Sequence, residues 1–332
     1  MSILILNNRR RLVIALGAGA LTAPFASFAQ QPAKLYRIGF LDPTSAPLRA
    51  EGLEAFRRGL LDLGYVENKN FVIEFRGAEG KYNRISELAA DLVQLKVDVL
   101  VANGTPCSIA AKRATTTIPI VMLAVGDPIA TGLVANLARP AGNATGLAIL
   151  APELMFKRFE LLNETSARAK RVAMLLNPEN PSNINTSNAA EAAAKSLKMG
   201  FQRFEVRNLD EIKSAFPAMA KSGVGAVVLT LDTMLSSNHV AIALLAENHR
   251  IPSFGPAEYA KSGGLIGLGA NAIELYRRAT PFIDKILKGA KPGDLPIEQP
   301  TKFEMVVNLK TARALGIKIP NSILVRADLV IE

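Results

Sequence analysis

Val97-Asp98-Val99-Leu100-Val101-Ala102 runs directly into Asn103-Gly104-Thr105-Pro106. The first six residues are almost wholly apolar and rich in valine, the composition of a strand covered on both faces. The next four are turn and helix-start residues, and Cys107 follows where a helix would open. A buried strand that ends in a polar loop and then a helix is the repeating unit of parallel α/β folds.

The unit recurs on both sides of this stretch. Upstream, Tyr36-Arg37-Ile38-Gly39-Phe40-Leu41 reads as a strand, and Leu53, Phe56, Leu60 and Leu63 then recur at helical spacing before Gly64. Phe71 to Phe75 reads as a second strand, with Ile85, Leu88 and Leu92 marking the next helix. Downstream, Ile118-Pro119-Ile120-Val121-Met122-Leu123 is a further strand. The pattern breaks near Leu150 and restarts at Arg171-Val172-Ala173-Met174-Leu175-Leu176, with an Ala-rich helix from about Ala189 to Met199. Strands follow at Phe201 to Val206, Ala226 to Leu231, Ile251 to Phe254 and Gly264 to Gly269, and Ile273 to Leu287 is a helix closed by Gly289. Two such runs predict two similar three-layer α/β lobes with parallel sheets.

The 332 residues are ample for two cores, and 49% hydrophobic with 20% charged residues is a globular composition. One Cys excludes an intramolecular disulfide framework and a CxxC-type zinc site. Two His and no Trp argue against a histidine-rich metal centre, so no metal and no cofactor is expected. The 39 Lys and Arg exceed the 29 Asp and Glu by ten, but they are scattered without a dense run or aromatic interleave, so nucleic acid is not an expected partner.

Three of those cations, Arg9, Arg10 and Arg11, precede the apolar run from Leu12 to Ala23, and small residues stand at Ser27 and Ala29. A basic start, a short apolar stretch and a small-residue cleavage site describe an export signal over residues 1–29, cut after Ala29. The run is shorter than the roughly 20 residues of a spanning helix, and Pro24 ends it. The expected mature protein is therefore periplasmic and not inserted in the membrane, and either the general or the twin-arginine route fits.

Ligands of open parallel sheets bind beyond the C-terminal ends of the strands. The loops there are Asp42 to Pro47 with Thr44 and Ser45, Asn103 to Pro106 with Gly104 and Thr105, and Gly126-Asp127-Pro128. In the second half they carry Asn177 and Asn180, Asp232 and Thr233, and Glu258. Such residues are ordinary helix caps one by one, but six loops at one edge suggest a site. Helix starts at Cys107 and Ser182 would favour a carboxylate, and Asp127, Asp232 or Glu258 an ammonium, which together suit an amino acid or small carboxylate. Signatures of catalysis are lacking: no GxGxxG follows a strand, and there is no GxxxxGK[ST], GxSxG or HExxH. Cys107 would need His239 or His249 as a base, and both read as surface or capping residues.

With these loops assembled, the sequence resembles the substrate-binding proteins of ABC transporters of the tryptophan-binding type. Gly104-Thr105-Pro106, Val125-Gly126-Asp127-Pro128, Leu137-Ala138-Arg139-Pro140 and Gly142-Asn143-Ala144-Thr145-Gly146 carry the likeness, with Glu298 to Glu304 and Asn308 to Ala312 in the tail. Cys107 departs from it by standing where a small residue is usual, and no lipid-attachment Cys is present near the cleavage point. The resemblance implies a type I periplasmic-binding architecture with a three-crossover hinge at residues 146–152, 262–265 and 297–302. Residues 36–148 plus 264–295 would form the first lobe, and 151–261 plus 301–332 the second. It further implies a monomeric solute-binding protein, not an enzyme, that closes on a small ligand and delivers it to a permease and its ATPase. A Cys107-dependent exported enzyme and a ligand-presenting sensory partner are the alternatives.

Overall fold

In the computed structural model, which describes residues 34–149, 151–166, 169–300 and 302–332, two sheets face each other across a cleft. The expected signal segment and Thr301, where the second lobe was expected to resume, lie outside the described residues. Within the first sheet, β1 (Tyr36–Asp42), β2 (Phe71–Gly77), β3 (Val99–Asn103), β4 (Ile120–Val125) and β5 (Ala144–Ala148) are all parallel, in the order β2-β1-β3-β4-β5. The helices α1 (Ala50–Asp62), α2 (Ile85–Gln94) and α3 (Gly104–Ala114) connect β1, β2, β3 and β4.

Strand β3 shows why a continuous apolar run was needed. Val99 and Val101 pack toward Phe56 and Leu60 of α1, while Leu100 and Ala102 pack toward Leu88 of α2 and Ala111 of α3. Both faces are covered, so alternation disappears and every residue of β3 is buried.

The second sheet has seven strands in the order β12-β11-β10-β9-β8-β6-β7. It follows α4 (Ala151–Thr165) and comprises β6 (Arg171–Leu176), β7 (Gly200–Glu205), β8 (Ala226–Leu229), β9 (Ser253–Gly255), β10 (Ile266–Gly269), β11 (Glu304–Asn308) and β12 (Leu329–Ile331). Its helices are α5 (Ser182–Ser196), α6 (Leu209–Lys221), α7 (Thr233–Ser236), α8 (His239–Asn248), α9 (Ala257–Lys261), α11 (Leu309–Leu315) and α12 (Asn321–Leu324). Phe159 of α4 and Ala190 of α5 cover one face, and Phe216 of α6 and Ile242 of α8 the other.

Two details differ from the sequence reading. The strand over 264–269, expected in the first lobe, is β10 and pairs with β9 and β11 of the second sheet. The connection before it, through the single short helix α9, is too brief to leave that sheet, so the chain returns beside β9. Only α10 (Ala272–Leu287) then crosses back, laying Leu275, Phe282 and Ile283 on the first sheet beside α1. The second crossover is therefore at residues 270–271, not 262–265. The other difference is that β10 and β11 run antiparallel, so the second sheet is mixed.

Crossovers at 149–151 and after Glu298 flank the same edge, where Leu147 bridges to Glu298. Close approach of β5 to β4 there depends on Gly146. Its φ is +131°, and a Cβ would lie 2.1 Å from the Met122 carbonyl oxygen. Gly146→Ala is expected to lower unfolding free energy by about 3 kcal/mol, from backbone strain and the clash together. Urea titration of the two proteins measures this, and a loss below about 1 kcal/mol would mean that β5 moves off β4 without cost.

Candidate functional site

The C-terminal edges of both sheets open onto one cleft of about 690 Å³. Parallel pairing makes this inevitable for each lobe, because every strand of a parallel set ends on the same side. Of the residues expected at the site, Gly104, Thr105, Asn180, Asp232, Thr233 and Glu258 line the cleft. Thr44, Ser45, Asp127 and Asn177 do not line it, and each of those with a defined bond serves its own loop. The Thr44 amide and hydroxyl both donate to Asp42 Oδ1 at 2.8 Å, Asp127 Oδ1 accepts from the Ala130 amide, and Asn177 Oδ1 accepts from the Glu179 amide.

In the first lobe, buried Asp42 organises the edge. Beside Thr44, its Oδ1 accepts from Arg49 Nε at 3.3 Å, and its Oδ2 accepts from Asn103 Nδ2 at 2.6 Å. Asn103 Nδ2 also donates to the Tyr276 hydroxyl at 3.0 Å. The amide is thus spent on Asp42 and Tyr276, so Asn103 does not cap α3 although it stands at the cap position. Thr105 Oγ1 accepts from the Gly126 amide at 3.2 Å, joining the loops after β3 and β4.

The second lobe repeats this device with Asp232. Its Oδ1 accepts from the amides of Met234 and Leu235, and its Oδ2 from Asn180 Nδ2 at 3.0 Å. The fourth donor comes from the other lobe: the hydroxyl of Tyr82, in the 3-10 turn Tyr82–Arg84, donates to Asp232 Oδ2 at 3.0 Å. Burial raises the Asp232 pKa and these donors pull it back down. With four donors, Asp232 has little capacity left for a ligand ammonium. Glu258 also lines the cleft, and burial raises its pKa.

Several cleft residues escaped the sequence reading. Arg158 of α4 is 2% exposed and donates from Nε and Nη2 to the Leu268 carbonyl and from Nη1 to the Leu229 carbonyl, at 2.8–3.0 Å. Burial pushes its guanidinium down to about 9. A signal for it existed: Arg158 stands three and four residues from Met155, Leu154, Leu161 and Leu162, on the apolar face of its helix. His239 is not the surface or capping residue expected. It is 5% exposed, lines the cleft, and has its ring against Tyr259 at 5.3 Å. Burial, then Arg158, lowers its pKa to about 4. Cys107 is fully buried among Leu41, Ala102 and Ala111, does not line the cleft, and has its thiol pushed well up by burial.

Among the described residues no helix is long and apolar enough to cross a membrane, and no group of His, Cys, Asp and Glu is placed to hold a metal ion. Two α/β lobes joined by repeated crossovers, with charged and polar residues at the facing strand ends, define a two-lobed ligand-binding protein. Residues 37–331 match the family described as ABC transporter substrate binding protein, and the chain belongs to it. It is 25% identical over 286 residues to a tyrosine-binding protein of Clostridioides difficile, covering 86% of this chain and 82% of that one. A structure from Streptococcus pneumoniae in complex with L-Trp superposes with a TM-score of 0.83 at 27% identity, covering 90% of this chain and all of that one. A conserved domain protein from Vibrio cholerae gives 0.84 at 27% identity, with the same coverage.

The buried imidazole makes a measurable contribution to pH dependence. His239 stays neutral in the fold down to about pH 4, whereas the unfolded chain takes up its proton near 6.5. Between those values the unfolded state binds more protons, so this group's contribution to stability is lost as pH falls through that window. His239→Phe is expected to remove on the order of 2–3 kcal/mol of the acid-induced loss between pH 6.5 and 4. Chemical unfolding at several pH values checks it, and parallel curves would show an imidazole already protonated in the fold.

Proposed function

We propose that this protein captures an amino acid in the periplasm by closure of its two lobes and delivers it to an ABC transporter permease with its ATPase. The observation that carries this reading is the single cleft lined by both lobes, with Tyr82 of one bonded to Asp232 of the other. The tyrosine-binding relative and the L-Trp complex support an amino acid as the ligand. Glu258 is the acid assigned to the ammonium group, because Asp232 is already saturated and Asp127 lies outside the cleft.

The energetics suit a clamp. One cross-cleft hydrogen bond contributes a net of about 1 kcal/mol, too little to hold the lobes together irrespective of ligand. A ligand touching both lobes supplies the differential affinity that shifts the equilibrium. Gly126 of the first lobe makes the approach possible: a Cβ there would lie 2.9 Å from Ser182 Cβ and Oγ of the second. A permease can then recognise the closed pair of lobes as the loaded state. The burial of Cys107 and its raised thiol pKa weigh against a thiol-dependent enzyme. Periplasmic location, a cleaved signal and a monomeric state complete the reading. It differs from that of a sensory partner in requiring transport, which uptake of labelled ligand by cells lacking the protein tests.

The direct experiment is thermal denaturation of the purified protein with each of the twenty amino acids, followed by calorimetry and small-angle scattering on those that stabilise it. A rise in Tm with a decrease in radius of gyration is expected for at least one. Gly126→Ala should weaken that ligand about tenfold by obstructing closure, and Tyr82→Phe about fivefold, with the Tm of the empty protein nearly unchanged. Binding without contraction, or unaltered affinity in both variants, would exclude closure as the mechanism.

A further inference from the structure

Arg158 presents an anomaly. A guanidinium at 2% exposure is normally matched by a carboxylate, because an uncompensated buried charge is costly. Here no carboxylate lies within 4 Å among the described residues, and three of its five N–H groups go to the neutral carbonyls of Leu229 and Leu268. That leaves one N–H on Nη1 and one on Nη2, the number a bidentate carboxylate takes. Gly269 puts no side chain over them: a Cβ there would stand 3.8 Å from Nη2. His239, also lining the cleft, has a buried Nε2 without a hydrogen-bond partner among the described residues. The two residues are near enough for Arg158 to perturb the imidazole, and Glu258 near enough to act on Arg158.

We infer that Arg158 and His239 form an anion subsite at the floor of the cleft, which takes the carboxylate of the ligand while Glu258 holds its ammonium group. The helix starts first considered for that role are less suited. The Ser182 amide and hydroxyl both donate to Asn180 Oδ1, and the α3 start offers no side chain that carries charge. Cation and anion on one lobe read the two ends of a zwitterion, and the space beyond them has apolar walls from Leu123, Ile149, Leu154, Leu231 and Leu275. The ligand class is therefore an α-amino acid with an apolar side chain. Among the described residues the rings lining the cleft are Tyr276 and the His239 imidazole already assigned to the carboxylate, so stacking between several rings is not the source of selectivity.

This inference rests on the amino-acid reading of the cleft, and the experiment separates the two. Wild type, Arg158→Met and His239→Phe are titrated with L-leucine, L-phenylalanine, L-tryptophan and L-tyrosine. Isoamylamine, phenethylamine, tryptamine and tyramine test the missing carboxylate, and 4-methylvalerate and 3-phenylpropionate the missing amine. At least one amino acid should bind wild type, its decarboxylated amine should bind at least a hundredfold more weakly, and Arg158→Met should lose at least fiftyfold. His239→Phe, which removes an unpartnered nitrogen, should lose about fivefold, and it decides the matter if Arg158→Met does not fold. Equal binding by folded Arg158→Met, or by His239→Phe where the first variant fails, overturns the subsite and leaves the amino-acid reading standing. Arg158-dependent binding of the two acids, with no amino acid bound, upholds the subsite and ends the amino-acid reading. No stabilisation by any carboxylate overturns the subsite.

Discussion

Two buried carboxylates, Asp42 and Asp232, hold the two rims of the cleft, each by four donors. Each stands at or just beyond the end of a parallel strand, where backbone amides of the following segment point outward and need an acceptor. Asp232 meets two such amides directly. Asp42 meets one, that of Thr44, and also gathers Arg49 and Asn103, and through Asn103 it reaches Tyr276 on the helix that has crossed from the other lobe. These anions tie together the loops that carry Asn103, Asn180, Arg49 and Tyr82, and their burial is tolerated because their acceptor sites are filled.

The lobes are alike in fold and unequal in charge. The first brings Gly104, Thr105 and Gly126, with Arg49 already paired with Asp42 and Glu51 exposed to solvent. The second brings Arg158, His239 and Glu258, none joined to a partner of opposite charge within salt-bridge distance among the described residues. On the proposed reading, charge of both signs on one lobe would let a ligand dock there before the other lobe closes over it. In that proposal the single bond from Tyr82 to Asp232 adds only a small increment to a balance set by the ligand.

Strand-edge chemistry explains which residues were legible. Gly104, Thr105, Asn180, Asp232, Thr233 and Glu258 follow strands recognisable by their apolar runs, and the rule that ligands sit beyond strand ends selected residues that line the cleft. The same rule selected Thr44, Asp127 and Asn177, whose groups turn back into their own loops. A turn former and a ligand residue are the same residue types, and only the direction of the side chain separates them. Arg158 was missed because it sits inside a helix, where the edge rule does not apply, though a cation on an apolar helix face was visible as an exception.

The sequence by itself determined the α/β class, most strands and helices, and family membership, because these follow from local apolar periodicity and from motifs contiguous in the chain. Strand β6 lies where its apolar run does, residue for residue. Only the tertiary structure decided that β10 belongs to the second sheet, that β11 runs against it, and that Tyr82 reaches Asp232 from 150 residues away. Those facts depend on which edge of which sheet a short strand finds, a contest between long-range pairings that no local pattern encodes. The charge state of the cleft belongs to the same category, since burial and distance set it and both are properties of the assembled fold.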